Sequence, residues 1–271
     1  MNRNILIIIG VICVVLMIAL VFNLKKIAIL ESKVKKVNTS ISGLLTQAKE
    51  AEAKGDLLSA KSAYQKLVSD FASSEQVANW QKKSEELNIR LIFSPAITIK
   101  SVRYEIKPGD ILIKIAREFK TTPELIQKSN ALVDDKILPG RKIKVWNAPF
   151  SIVVNKSQNT LMLKSEEEVI KTYSVSTGAN NSTPNGNFKI VNKIINPTWF
   201  KAGAVVPADS PENILGSRWM GFDLAGYGIH GTTEPQNIGK QVTQGCVRMS
   251  NLEVEELYII VPTGTEVTVV D

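Results

Sequence analysis

Apolar and polar residues follow different patterns in different parts of the chain. Residues 5–22 form an apolar run of 18 residues without a charge, in which Gly10 is the only break. Over 27–90 apolar residues recur at the three- and four-residue spacing of helices, and beyond 150 short β-rich runs replace that period. The chain is therefore predicted to be a multidomain α+β protein with a hydrophobic N-terminus.

The apolar run predicts a transmembrane helix over 1–24. At about 1.5 Å per residue it would span about 27 Å, close to the thickness of the hydrocarbon core. A cleaved signal peptide is the alternative, but no small-x-small site precedes the polar residues that begin at Asn23. Lysines at 25, 26, 33, 35 and 36 follow the run, and by the positive-inside rule they would place the remaining chain in the cytoplasm.

Residues 25–95 predict a helical hairpin. Apolar residues at helical spacing stop at Gly55 and Asp56, resume over 57–71, and a third helix is expected near 76–87 before Ser94 and Pro95. Gly55-Asp56 followed by Ala60 and Tyr64 resembles half of a tetratricopeptide repeat. Such repeats need several copies to bury a core. We therefore expect a spacer or oligomer contact, and recognition of a protein partner is the alternative.

Residues 101–147 predict a small strand–helix–helix–strand unit. Strands are expected over 102–106 and 142–146. Asp110 is placed to cap a helix over 111–119, and Thr122 to cap a second helix that starts with Pro123.

The motifs of this unit resemble those of a LysM domain. The matching residues are Tyr104, Ile106-Lys107-Pro108-Gly109-Asp110, Ile115-Ala116, Phe119, Leu125-Ile126, Asn130 and Leu138-Pro139-Gly140. The resemblance implies binding of N-acetylglucosamine-containing glycans such as peptidoglycan. Ile111 stands where the family usually has Thr or Ser, and Ile113 stands where it usually has an aromatic residue. Both departures weaken the predicted sugar contacts, and a rigid spacer is the alternative.

Residues 149–271 predict a mostly-β domain. Strand-like runs cover 151–155, 161–164, 169–176, 187–192 and 265–270, and only 251–259 is typical of a helix.

Charge and cysteine content exclude several functions. The net charge is +7, yet residues 150–271 carry nine Lys and Arg against twelve Asp and Glu, a net charge of −3. No basic stripe alternates with aromatic residues, so we expect no nucleic-acid partner. The cysteines are Cys13, in the apolar run, and Cys246, so a disulfide between them is rejected. One histidine and one cysteine outside the apolar run cannot build a zinc site with ordinary ligand spacing, so we expect no metal site. We also expect no cofactor.

His230 and Cys246 are the candidates for catalysis. A thiol with a pKa near 8.5 needs an imidazole or a positive field to become a nucleophile at neutral pH. Gly245 leaves backbone N–H groups accessible as possible oxyanion donors, and the carbonyl of Gly231 is placed to accept from the imidazole. One histidine and one cysteine co-occur often, so on these residues alone an inert buried pair stays open.

The residues around this pair resemble the active-site motif of YkuD-like L,D-transpeptidases. The matching segments are Tyr227-Gly228-Ile229-His230-Gly231-Thr232, Ile238-Gly239 and Val242-Thr243 with Gly245-Cys246-Val247-Arg248-Met249. Ser176-Thr177-Gly178, Thr183-Pro184, Gly186, Phe188, Pro197, Trp199, Leu257-Tyr258, Gly264-Thr265 and Val267 extend the match over 150–271.

The resemblance implies a Cys246 thioacyl-enzyme formed from a peptidoglycan stem tetrapeptide, with release of D-Ala and transfer to an amine of a second stem. His230 would be the acid–base, and Gly245, Gln244, Gly231 and Thr243 would position the site or stabilise the oxyanion. Arg248, Tyr227 and Trp219 would contact substrate, with structural roles as the alternative. Gln244 and Thr243 stand where many members of the family have His and Ser.

These expectations describe a single-pass membrane enzyme whose catalytic domain faces the cell wall, with peptidoglycan and the cytoplasmic membrane as partners. The lysines after the apolar run argue for the opposite orientation, and the conflict stays open at this point. Hydrolysis instead of transfer, attachment of a protein to the wall, and a non-catalytic wall-binding scaffold are the alternatives.

Overall fold

A computed structural model describes residues 3–201 and 203–271, and describes side chains at residue 17 and over 20–200 and 203–271. The chain divides into two compact units, one ending at Ser84 and the other running from Glu85 to Asp271.

The first unit is a helical hairpin. Its helices are α1 (Arg3–Ala53) and α2 (Leu57–Asp70), and α3 (Val77–Phe93) begins in this unit and ends in the second. Gly55 has φ +73°, a left-handed conformation that glycine adopts at low cost, and Asp56 caps α2 by accepting from the Ser59 backbone N–H at 3.0 Å. Ala48, Ala60 and Leu67 are fully buried between α1 and α2.

The predicted membrane span falls largely on residues whose side chains are not described, namely 1–16, 18 and 19. Within the described residues, no helix has the length and apolar character needed to cross a membrane. The transmembrane helix over 1–24 therefore stays a prediction.

The LysM-like segment of the second unit has the predicted order of elements. It contains β1 (Ser101–Glu105), α4 (Leu112–Glu118), α5 (Pro123–Ser129) and β2 (Lys142–Trp146), and the two strands pair antiparallel. Thr122 caps α5 as predicted, because its Oγ1 accepts from the Leu125 N–H at 2.9 Å.

The predicted cap of α4 by Asp110 is wrong. The residue at the N-cap is Ile111, whose side chain makes no capping bond. Asp110 instead accepts from the Tyr104 hydroxyl and the Lys107 N–H, both at 2.8 Å. These bonds close the turn between β1 and α4. The Asp110 carboxylate is bound within that turn, one residue before the N-cap position, and therefore does not cap the helix.

The strands of the C-terminal part are, in chain order, β3 (Phe150–Asn155), β4 (Thr160–Ser165), β5 (Glu168–Ser174), β6 (Thr177–Gly178), β7 (Gly186–Ile195), β8 (Trp199–Lys201), β9 (Ala204–Val206), β10 (Arg218–Phe222), β11 (Gly228–His230), β12 (Gln241–Thr243), β13 (Val247–Arg248) and β14 (Glu266–Val270). Eight of them form one mixed sheet in the order β13-β11-β10-β7-β14-β3-β4-β5. The predicted helix is α6 (Asn251–Ile260). The strands from β8 to β13 were not predicted, because most are only two or three residues long.

The LysM-like segment has a hydrophobic core of its own, and Leu125 and Trp146 join it to the core of the sheet. Leu125 of α5 belongs to the same buried cluster as Ile152 and Val154 of β3, and Trp146 stacks on Phe150 with ring centroids 5.3 Å apart. The Lys144 ammonium donates to the carbonyls of Leu91 at 2.6 Å and Ser94 at 2.9 Å, which satisfies the end of α3. Leu125, Trp146 and Lys144 therefore connect the LysM-like segment to the sheet and to the end of α3.

Candidate active site

One face of three neighbouring strands carries the candidate residues. Trp219 of β10 pairs with both Ile194 of β7 and His230 of β11, so these three side chains lie on the same face of the sheet. Strand β13 runs parallel to β11 with Ile229 opposite Val247, which brings the preceding residue, Cys246, to the same edge. The pairing of these short strands thus places a histidine and a cysteine, sixteen positions apart in sequence, at the same edge of the sheet.

The imidazole of His230 is buried and held in one tautomer. Its Nδ1 lies 2.7 Å from the Gly231 carbonyl oxygen, which only accepts, so Nδ1 carries the proton and Nε2 is left as the basic nitrogen. The ring stacks on Trp219 with centroids 6.0 Å apart. Burial, assisted by the positive charge of Arg248, outweighs the hydrogen bonds with the backbone of Gly231 and Leu215 and lowers the pKa of His230 to about 4. The imidazole is therefore neutral at pH 7 and available as a base.

Asn251, which the sequence analysis did not single out, fixes the backbone around His230. Its Oδ1 accepts from the N–H groups of Thr232 at 3.0 Å and Ser217 at 3.1 Å, and its Nδ2 donates to the Thr232 carbonyl at 2.9 Å. A Cβ at Gly231 would lie 2.2 Å from this Oδ1, so only glycine fits between the histidine and the amide. Asn251 is a positioning residue supplied by the first turn of α6.

The thiol of Cys246 is half-buried and protonated. Its Sγ donates to the Gly226 carbonyl at 3.4 Å. Burial raises the pKa of Cys246, and the Gly228 N–H and the charge of Arg248 only partly offset that effect. The cavity at neutral pH therefore holds a protonated thiol and a neutral imidazole and not a thiolate–imidazolium pair.

A tight turn presents the cysteine. The Thr243 hydroxyl donates to the Cys246 carbonyl at 2.6 Å and accepts from the Gly245 N–H at 3.2 Å. Gly245 has φ +130°, and a Cβ there would lie 2.6 Å from the ring of Tyr227. The Gly245 N–H is thus used within the turn, while Gln244 is exposed at the rim of the site.

Arg248 is buried beneath the site and paired on one side. Its Nη1 lies 2.8 Å from Oε2 of Glu234, another residue that the sequence analysis did not single out. Its Nε is buried and has no hydrogen-bond partner among the described residues. The guanidinium supplies a fixed positive charge that disfavours protonation of His230 and favours ionisation of Cys246.

A cavity of about 710 Å³ opens over these residues, a volume typical of ligand sites. Its lining includes Cys246, His230, Arg248, Thr243 and Gln244 together with the aromatic residues Trp199, Trp219 and Tyr227. The Trp219 indole N–H donates to Asn192 at 3.0 Å, which turns the ring against His230 and away from the hydrophobic core. Among the described residues, no cluster of His, Cys, Asp or Glu could hold a metal ion.

Known proteins resemble this chain in both parts of the second unit. The family model for the L,D-transpeptidase catalytic domain matches residues 149–269, and the model for the LysM domain matches residues 104–146. The YkuD protein of Bacillus licheniformis, which carries the name of an L,D-transpeptidase, is 36% identical to this chain over 174 residues. The match covers 61% of this chain and 97% of that protein. The chain belongs to the L,D-transpeptidase family. The predicted resemblances to this family and to LysM domains are thereby confirmed.

A second sequence relative of this L,D-transpeptidase family member agrees with the assignment. The YkuD protein of Bacillus subtilis is 34% identical over 61% of this chain and 97% of its own length. The match to an L,D-transpeptidase structure from Mycobacterium tuberculosis H37Rv covers 63% of this chain and 90% of that chain, with 15% sequence identity and a TM-score of 0.39. Because that TM-score is below 0.5, the family assignment rests on the sequence relatives.

The predicted site residues of this L,D-transpeptidase fall into two groups. Cys246, His230, Gln244, Thr243, Arg248, Tyr227 and Trp219 line the one cavity, whereas Gly231 and Gly245 shape the backbone beneath it. Asn251, Glu234 and Asn192 gave no signal in the sequence, because their roles depend on contacts between distant segments.

Proposed function

We propose that this protein is a cysteine-dependent peptidoglycan L,D-transpeptidase. One observation supports this function above others: the Cys246 thiol and a neutral His230, whose Nδ1 is anchored on Gly231, line the same cavity. We propose a stem tetrapeptide of peptidoglycan as the substrate, which is what the resemblance to this family implies.

In the proposed acylation step, Sγ of Cys246 attacks the carbonyl carbon of the third stem residue while Nε2 of His230 takes the thiol proton. The tetrahedral intermediate collapses, the bond to D-Ala breaks, and the imidazolium returns the proton to the departing D-Ala amine. The low pKa of His230 makes its imidazolium a strong acid for this second transfer. A thioacyl-enzyme remains.

In the proposed deacylation step, the side-chain amine of a second stem attacks the thioester carbon and loses a proton, and Cys246 leaves as the thiol. The product is a 3→3 cross-link. The same thioester would give L,D-carboxypeptidase activity with water as the acceptor, and would attach a protein to the wall with a protein amine.

A purified tetrapeptide muropeptide tests the function. The detergent-solubilised full chain should release D-Ala and form cross-linked dimers, whereas Cys246→Ala should release none. Tripeptides without dimers would identify a carboxypeptidase. Equal absence of D-Ala release from both proteins, with both folded, would favour a non-catalytic wall-binding scaffold.

Glycan binding is proposed for the LysM domain at 104–146. A domain that holds the enzyme on its polymeric substrate raises the local substrate concentration without adding contacts in the active site. Retention on glycan strands stripped of stem peptides tests this role, because such strands lack the acyl donor. No retention above that of an unrelated protein would favour the rigid-spacer alternative.

We also propose that the apolar N-terminal run anchors the protein in the cytoplasmic membrane with the C-terminal domains on the cell-wall side. The location of peptidoglycan supports this orientation, and the lysines that follow the run oppose it. Protease added to intact spheroplasts should remove a C-terminal epitope tag. Protection of the tag until the membrane is lysed would instead place the domains in the cytoplasm.

A further inference from the structure

Helix α1 presents a stripe of exposed apolar side chains that the hairpin does not cover. Ile27, Leu30, Val34 and Val37 are 53%, 66%, 53% and 44% exposed. Their spacing alternates between three and four residues and continues to Ile41 and Leu44, which assigns them to positions a and d of a heptad repeat. A contiguous apolar stripe of this kind marks an interaction surface.

The same heptad continues into the hairpin, where a partner is already present. Ala48 and Ala51 occupy the next a and d positions and are 0% and 8% exposed. They are covered where α2 packs on α1. In the part of α1 whose side chains are described, the stripe from Ile27 to Val37 has no such cover. The apolar side chains of the repeat are therefore covered by α2 at its C-terminal end and exposed at its N-terminal end.

We propose that a second copy of this chain covers the stripe, and that residues 27–44 form a parallel two-stranded coiled coil. The residue types favour this occupant. Ile27, Val34 and Ile41 place β-branched side chains at every a position, and Leu30 and Leu44 place leucine at two of the three d positions. That combination favours two parallel strands over three or four.

Charges beside the stripe favour the same arrangement. Lys26 lies at position g and Glu31 at the next position e, and both are exposed. In a parallel in-register dimer, g of one helix faces the following e of its partner, so Lys26 meets Glu31 of the second copy on both sides. An antiparallel pair would bring g positions, and therefore Lys26 and Lys33, toward each other. Only the parallel arrangement pairs opposite charges.

Disulfide cross-linking of the full chain in detergent tests the proposal. In a Cys13→Ser, Cys246→Ser background, Val34→Cys places a thiol at position a, where the two copies should approach within the roughly 4.4–6.8 Å between Cα atoms that a disulfide requires. Ser32→Cys is the matched control, because Ser32 is exposed at position f on the opposite side of the helix. Mild oxidation should convert Val34→Cys to a covalent homodimer and leave Ser32→Cys without a cross-link.

Two outcomes of that experiment would overturn the proposal. Equal cross-linking at positions 34 and 32 would indicate random collision, and absence of cross-linking at position 34 would exclude a parallel in-register dimer. Neither outcome bears on catalysis, because the test uses protein without Cys246.

Charge reversal provides a second test that does not alter the stripe. Glu31→Lys should slow cross-linking through position 34, because it places two lysines at each g–e contact. Adding Lys26→Glu should restore the rate, because the opposite charges are regained with their positions exchanged. A double variant as slow as Glu31→Lys alone would show that these residues do not meet, and the parallel register would be wrong.

Discussion

At the scale of single residues, the site combines an unusually weak base with a protonated thiol. His230 is held neutral by burial and by the charge of Arg248, and burial also keeps Cys246 in the thiol form. Under the proposed mechanism the proton moves only when a carbonyl carbon is in place to accept the sulfur. Geometry, more than a standing thiolate, then sets the rate of acylation.

The pH dependence of acylation follows from the pKa of His230. A protonated imidazole cannot accept the thiol proton, so acylation should fall below a pH of about 4 and not at the ordinary value of 6.5. Family resemblance predicts that a carbapenem acylates Cys246, and intact-mass spectra collected from about pH 3 to pH 8 would give the rate. A loss of adduct formation centred near pH 6.5 would contradict the buried, neutral imidazole.

Asn251 should affect catalysis without touching the substrate. Asn251→Ala leaves the N–H groups of Thr232 and Ser217 without their acceptor. If the lost hydrogen bonds raise the activation free energy of acylation by about 1–3 kcal/mol, acylation should be roughly 5- to 150-fold slower. Asn251→Asp keeps the acceptor and should fall between wild type and alanine. If alkylation of Cys246 by iodoacetamide slowed equally, a general disturbance of the thiol would explain the effect instead.

At the scale of elements, buried polar groups join segments that the sequence keeps apart. Lys144 of β2 donates to the last carbonyls of α3, and Lys100 donates to the Ser165 carbonyl at 2.7 Å and to Glu168 at 2.9 Å. The contacts of Lys144 hold the end of α3 against β2, and the contacts of Lys100 hold the residue before β1 against the turn between β4 and β5.

Removal of one such group should lower stability. Lys144→Met leaves the Ser94 carbonyl without its donor and removes one of the donors to the Leu91 carbonyl, which keeps its bonds from Ser94. We expect a loss of about 1–3 kcal/mol in the free energy of unfolding. Lys142→Met, two residues earlier in the same strand, is the control because Lys142 is exposed and its Glu105 partner lies 3.7 Å away. Urea titration should separate the two variants, and equal midpoints would show that the bonds of Lys144 contribute nothing net.

At the scale of the molecule, the LysM domain and the catalytic domain should unfold together. Leu125 contributes to the same core as the sheet, so Leu125→Ala should destabilise both by about 2–5 kcal/mol. Loss of carbapenem acylation and loss of amide protection in residues 104–146 should follow the same urea curve. Two separated transitions would show that the domains are thermodynamically independent.

How far the sequence predicts this molecule depends on whether a feature is local. The cap at Thr122, the strand β2 and the bond from His230 to the Gly231 carbonyl depend on neighbouring residues, and each was predicted. Strands β11 and β13 carry the site but have only three and two residues, which is too short to show alternation. Pairing with distant strands fixes them, and β10 beside them. Asn251 and Glu234 likewise act on segments that only the fold brings near.

The protonated state of Cys246 has a consequence for survival under oxidising conditions. Peroxides react with thiolates, and a cysteine with a raised pKa presents little thiolate at neutral pH. The nucleophile should therefore persist as a free thiol in surroundings that convert more acidic cysteines to sulfenic acid. The burial that slows ionisation of the resting enzyme also protects it from oxidative inactivation.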